Sequence, residues 1–204
     1  MIKLKDIHLK FKDKVLFSGF DLSVKEGETV LLSAASGHGK TSLFRIMMGF
    51  MRPDSGSVYI GGKLLRKSTV HAMRRRISYI GQDVSLPGGK ARELFREIGA
   101  YAVNRHKDFS DARIKELLNQ FSLTEQILDK NMDTVSGGER RRLAFVLCVL
   151  MDRDIWLLDE ITAGLDKRRK QKVIEYIVGS GKTVLVSSHD EAWNDICGVR
   201  SMDW

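Results

Sequence analysis

The chain has few of the residues that staple or interrupt a fold. Its 204 residues include two cysteines and two prolines. Cys148 and Cys197 sit in no CxxC pair and near no histidine cluster, which makes a reduced, cytoplasmic protein the expectation. Only Pro53 and Pro87 interrupt the chain, and no Gly/Ser linker divides it. One domain spanning residues 1–204 is therefore expected. Long apolar runs are also missing. The longest is residues 143–151, nine residues, where crossing a bilayer needs about 20, so the chain reads as soluble. The first ten residues, MIKLKDIHLK, lack the apolar core of a signal peptide. No internal repeat, low-complexity stretch or sustained a/d heptad appears, which excludes a coiled-coil rod. Charged residues make up 29% and apolar ones 43%, ordinary globular values that exclude disorder and collagen-like repeats. A chain of this length hides roughly 70% of its unfolded surface.

What the chain has in excess is positive charge. Lys and Arg number 34 against 26 Asp and Glu, a net charge of +8. Such a balance suits nucleic acid, an anionic membrane surface or a polyanionic ligand, and composition does not choose among them. Much of it lies in KRRKQK at 167–172 and in Arg74, Arg75 and Arg76. A solvated face is the plain reading. Attraction to an anionic leaflet, about 1 kcal/mol per basic residue, is the sharper one.

Four short apolar runs stand out: Thr29–Ser33, Ile77–Ile80, 154–159 and Thr183–Ser187. Runs this short and apolar predict strands buried on both faces of a parallel sheet. Between them lie helical segments at 41–51, 111–121, 139–151 and 167–178. The second carries apolar residues at 114, 117, 118 and 121, a helical stripe. Strand and helix alternation predicts an α/β fold. Residues 83–135 hold no convincing buried strand and read as a helical insertion. Gly27 in VKEGE marks a turn, and the pieces flanking it suggest antiparallel strands in the first 28 residues.

Three motifs carry chemistry. The first strand runs into Ala34-Ala35-Ser36-Gly37-His38-Gly39-Lys40-Thr41, then Ser42. Strand, small-residue loop and helix form the phosphate-loop pattern. Backbone N–H groups curl around phosphate oxygens, Gly37 and Gly39 permit the turn, and the helix adds its dipole. Lys40 would reach the β- and γ-phosphates, and Thr41 would place a hydroxyl on Mg²⁺. The run 154–159 ends on Asp159 and Glu160, two carboxylates where parallel sheets bind ligands. Asp159 can hold Mg²⁺, and Glu160 can polarise a water. Ser136-Gly137-Gly138-Glu139 precedes a long apolar helix. Ser136 reads as an N-cap with Glu139 at the capping-box position, and the two glycines also offer N–H groups to an anion.

Together these motifs resemble an ATP-binding cassette, the nucleotide-binding subunit of ABC transporters. Residues 34–41 match its Walker A loop, 135–139 its LSGGQ signature, 155–159 its Walker B strand with Glu160 as catalytic glutamate, and 163–166 its D-loop. Gln82 falls at the Q-loop glutamine, His189 at the switch histidine, and Phe11 where an aromatic ring stacks on adenine. Order and spacing agree along nearly the whole chain. Ala34, Val135, Glu139 and Ile161 depart from the usual residues, and none removes a group that hydrolysis requires. The stretch from ILDKN to LLDEITAGLD most resembles small cassettes of iron-export-type transporters.

The resemblance implies a P-loop NTPase core with a mainly parallel sheet, an N-terminal antiparallel β subdomain and a helical subdomain at about 83–135. It implies an ATPase, with ATP and Mg²⁺ as cofactors and Glu160, His189 and Gln82 as catalytic residues. Thr41, Gln82 and Asp159 would hold the metal. Nucleotide would meet Phe11, residues 36–42, Ser136, Gly137, Gly138, Glu139 and Asp166. In this family two cassettes pack head to tail around two ATP molecules. The partners expected are a transmembrane permease and a second, identical or different, cassette, with the chain peripheral on the inner face of the cell membrane. The surface at 83–98 is where family members receive a helix of the membrane subunit. A non-transport cassette acting on nucleic acid or the ribosome is the alternative that the +8 charge motivates. At 204 residues the chain is expected to be close to a minimal cassette, without a C-terminal regulatory domain.

Overall fold

A computed structural model of the chain describes residues 1–11, 14–34, 37–194 and 196–204. Its strands are β1 Ile2–Phe11, β2 Lys14–Val24, β3 Thr29–Ser33, β4 Ser55–Ile60, β5 Lys63–Leu64, β6 Ile77–Ile80, β7 Ile155–Asp159, β8 Thr183–Ser187 and β9 Val199–Asp203. Its helices are α1 Lys40–Met47, α2 Val70–Arg74, α3 Ala91–Ala100, α4 Asp111–Gln120, α5 Gly137–Met151 and α6 Lys167–Gly179.

Five strands form a parallel sheet in the order β6-β7-β8-β3-β9. The buried runs predicted from the sequence supply its first four members. Every residue of β7 and β8 is buried, which is why these strands read as continuous apolar runs rather than alternating ones. Alternate side chains serve two cores. Ile155 and Leu157 of β7 join Val30, Leu32 and Leu185 against Leu43, Phe44 and Met47 of α1 and against the N-terminal strands. Trp156 and Leu158 face the other way, onto Leu143, Phe145 and Val146 of α5 and Ile174 and Ile177 of α6. Phe145 lies 5.0 Å from Phe121 and 5.8 Å from Trp156, edge to face in both pairs, a geometry worth about 0.5–1.5 kcal/mol per pair beyond area burial. The apolar run 143–151 is thus a helix buried on most sides.

The second sheet is antiparallel, in the order β2-β1-β4-β5. β1 and β2 pair from Ile2 with Val24 to Phe11 with Lys14, so the antiparallel reading holds for these two strands. It does not hold across Gly27. There the chain leaves β2 and enters the parallel sheet at β3, because the TVLLS run needs cover on both faces. Gly27 has φ 72° and donates its N–H to Thr183 Oγ1 at 3.0 Å.

Between β6 and α5 the described residues form no strand, only helices α3 and α4, 3-10 turns and one isolated bridge, Lys90 to Asn131. Leu94, Phe95, Leu117, Leu118 and Leu128 from this stretch pack into the same core as α5. Among the described residues, no helix is long and apolar enough to cross a membrane.

Asp152 ties this stretch to α5. It ends the helix in the left-handed region, φ 49°, and its carboxylate meets Lys107 Nζ at 2.7 Å and Lys182 Nζ at 2.5 Å. Burial pushes its pKa up, but the two lysines outweigh that and hold it below the usual carboxylate range. Asp152→Asn tolerates the same backbone and loses both ion pairs. We expect a loss of about 1 kcal/mol at pH 7 in urea unfolding. A depressed carboxylate contributes stability above its ordinary pKa and loses it as pH falls through the folded value. The gap between the two proteins should therefore close in acid. A gap unchanged at low pH would contradict the assignment.

Candidate active site

The sheet order decides where the chemistry can meet. β6, β7, β8 and β3 are neighbours and parallel, so the loops leaving their carboxyl ends share one edge. Those loops carry Gln82, then Asp159 and Glu160, then His189, and then the phosphate-loop motif. In open parallel sheets this edge binds ligands.

The phosphate loop opens α1 at Lys40. Gly37 and Gly39 hold φ 78° and 94°. A Cβ on Gly39 would stand 2.9 Å from Phe17 Cζ, so both conformation and space require glycine there. Lys40 is buried. Its Nζ donates to Ala34 O at 2.5 Å and lies 2.7 Å from His189 Nε2. An ammonium has no acceptor, so in this contact the ring nitrogen is the acceptor. Burial lowers the Lys40 pKa, opposed by the Glu160 and Asp159 carboxylates. The cation is partly stripped of water and aimed at the cavity.

Thr41 Oγ1 donates to Asp159 Oδ2 at 2.7 Å, and Asp159 is 2% exposed at the end of β7. A hydroxyl and a carboxylate side by side, with Gln82 on the same cavity wall, offer hard oxygen donors. Among the described residues no group of three or more His, Cys, Asp or Glu gathers as a cage. This donor set fits Mg²⁺, which keeps its waters and takes one or two protein ligands plus substrate phosphates.

Glu160 has φ 54°, a conformation that costs a non-glycine residue on the order of 1–3 kcal/mol. Its N–H donates to Ser187 O at 2.8 Å, which pins the turn against β8. The carboxylate is 15% exposed, with Oε1 3.9 Å from His189 Nε2.

One cavity of about 480 Å³ collects Phe11, Gly37, Gly39, Lys40, Thr41, Ser42, Gln82, Asp159, Glu160 and His189, a volume suited to a small-molecule ligand. Phe11 is 59% exposed at its mouth, so its ring face is open to stacking. Ser36 lies outside the described residues. His38 does not line this cavity; its carbonyl accepts from Trp204 Nε1 at 3.2 Å. The second motif also lies elsewhere. Ser136 caps α5, its Oγ accepting from Glu139 N at 3.3 Å while Glu139 Oε2 accepts from Ser136 N at 3.1 Å. This is the capping box that the sequence predicts. Ser136 and Gly137 are exposed, and none of the four motif residues lines the cavity. Asp166 caps α6, accepting from Arg169 N at 2.9 Å.

The sequence reading missed Lys14 and Arg45, which share the cavity wall. Lys14 Nζ donates to Gly37 O at 2.9 Å. No motif marks Lys14. Only its place opposite Phe11 at the start of β2 brings it there.

Comparison with known proteins agrees with this geometry. The family model described as ABC transporter matches residues 17–163, and the chain belongs to that family. The spermidine/putrescine import ATP-binding protein PotA of Spiroplasma citri is 33% identical, over 94% of this chain and 55% of its own. Nod factor export ATP-binding protein I of Burkholderia lata is 30% identical, over 92% of this chain and 62% of its own. The chain thus spans little more than half the length of these curated relatives. A dimeric ATP-binding cassette in a post-hydrolysis state, bound to ADP and Pi, superposes with TM-score 0.78 at 26% identity. The match covers 93% of this chain and 88% of that one. The fold is a P-loop NTPase cassette, α/β, with a parallel and an antiparallel sheet.

Proposed function

We propose that the chain is the ATP-hydrolysing, energy-coupling subunit of an ABC membrane transporter, working as a head-to-tail dimer with ATP at the interface. One observation carries the reading. Lys40, Thr41, Asp159, Glu160 and His189 converge on one cavity, while the Ser136–Glu139 motif, which would meet the same nucleotide, sits outside it.

The Phe11 ring stacks on the adenine. The N–H groups at the start of α1 and its dipole hold the phosphates. Lys40 exchanges its bonds to Ala34 O and His189 for phosphate oxygens. Mg²⁺, held by Thr41, Asp159 and Gln82, would neutralise charge on the β- and γ-phosphates. His189, released from Lys40, contacts the γ-phosphate, and Glu160 orients and polarises the attacking water. From the second cassette, Ser136, Gly137, Gly138 and Glu139 offer N–H groups at a helix N-terminus to that phosphate. Asp166 lies near the dimer axis. ATP then joins the two copies, and hydrolysis parts them.

A neighbouring cavity of about 590 Å³ lies between α1, the loop after β6 and α5, with Tyr79, Gln82, Val84, Leu86 and Leu147 in its wall. We assign it to a helix of the transmembrane permease, with the chain peripheral on the inner face of the cell membrane. The relatives named for import and export leave both directions open to the same machinery.

Ser136→Arg tests the arrangement. Arginine at that surface position should leave ATP binding unchanged in calorimetry and remove ATP-dependent association in sedimentation velocity. Association that persists would contradict the trans role. Loss of ATP binding would place Ser136 in the cavity of its own subunit.

A further inference from the structure

Arg141 is the fifth residue of α5, just past the Ser136–Glu139 motif. Its two terminal nitrogens go to two different loops. Nη1 donates to Ala163 O, and Nη2 donates to Gln82 O at 3.0 Å. No carboxylate lies within ion-pair distance of it among the described residues, so its charge is directed at the two carbonyls. Its buried Nε has no hydrogen-bond partner among the described residues. The side chain is half-buried.

The bonds continue on both sides. Ala163 N donates to Glu160 O at 3.1 Å, and Glu160 N donates to Ser187 O at 2.8 Å. Ser187 ends β8, two residues before His189. An unbroken path therefore runs from Gln82 through the guanidinium to Ala163, Glu160 and the strand that delivers His189. The guanidinium fork is planar and rigid, and it fixes the spacing of the two carbonyls in a way a lysine cannot. Charge-assisted bonds of this kind are also stronger than neutral ones. Packed and hydrogen-bonded chains of this sort carry coupling between sites.

We propose that Arg141 is a positioning residue that ties the loop after β6 and the turn after Glu160 to the helix carrying Ser136. A change at the γ-phosphate, felt by Gln82 or Glu160, then shifts the start of α5, the part that meets the second nucleotide. The proposal rests on the cassette reading above. Arg141 does not line the cavity.

The test compares Arg141→Ala and Arg141→Lys with the unmodified full chain. The alanine variant should lose roughly tenfold in kcat, with KM for ATP and nucleotide affinity within about twofold, and lysine should restore only part. Hydrogen exchange gives a readout independent of turnover. In the unmodified chain, ATP should change protection at 82–86, 162–166 and 136–140 together. In Arg141→Ala the change should remain around the phosphate loop and disappear at 136–140. Three results would overturn the proposal: unaltered kcat in the alanine variant, kcat and KM worsening together with thermal stability, or an unchanged response at 136–140. If the unmodified chain binds ATP without releasing phosphate, the hydrolysis reading fails, and the exchange pattern alone decides on Arg141.

Discussion

Glu160→Gln should lower ATP turnover by roughly 10²–10⁴-fold while ATP binding survives. The substitution keeps side-chain size and the N–H bond to Ser187 O. It removes only the carboxylate, the group proposed to polarise water. That carboxylate sits at the cavity wall, 3.9 Å from His189, on a turn held in the left-handed region. A residue kept at φ 54° against its preference is explained if its side chain must return toward the end of the sheet. With hydrolysis blocked, the ATP-bound dimer has no route apart and should accumulate. Phosphate release measures the first effect and light scattering the second. A Gln variant that remains monomeric with ATP would contradict the dimer mechanism, and one that keeps its turnover would remove Glu160 from the chemistry.

Lys40→Met should separate binding from folding. The ammonium donates to Ala34 O and to His189, and its pKa is lowered by burial, so keeping the charge there already costs the fold. Methionine fills a similar volume without the charge. Thermal stability should hold or rise slightly. Nucleotide is the other side of the balance. Losing charge-assisted bonds worth about 1.5–3 kcal/mol should weaken ATP binding by roughly 10- to 100-fold. Calorimetry and a melting curve on the same preparation test both halves. Full ATP affinity in the variant would show that the phosphates are held elsewhere.

The elements legible in the sequence were those whose burial is one-sided or complete. TVLLS, IWLLD and TVLVS announced β3, β7 and β8 because each is apolar throughout. β9, VRSMD, is an edge strand with no buried residue, and nothing in its pattern separates it from a loop. β4, SGSVYI, begins on small exposed residues and buries only Val58 and Ile60, too short a pattern to stand out. The capping box at Ser136 was legible because caps are local, three residues apart. Lys40 was legible in the phosphate-loop pattern, whereas His189 was legible only through the family resemblance. They are 149 positions apart, and the adjacency of β3 and β8 brings them together. Lys14 and Arg141 belong to no motif and act on backbone carbonyls, so only the folded register assigns them a role. The basic excess also resolves in part. Lys170 pairs with Asp190 at 2.7 Å, Arg76 with Asp154 at 2.7 Å, and Arg74 lies over the Phe50 ring at 4.1 Å. These three basic residues are thus tied to partners within the fold.

Phosphate release by the unmodified chain, with ATP and Mg²⁺ across a range of protein concentrations, tests the account most directly. If two copies must close around ATP, activity per molecule should rise with concentration and level off once dimers dominate, and it should vanish in Glu160→Gln. Absence of magnesium-dependent release at every concentration would contradict it, as would activity per molecule that is flat from dilute to concentrated protein.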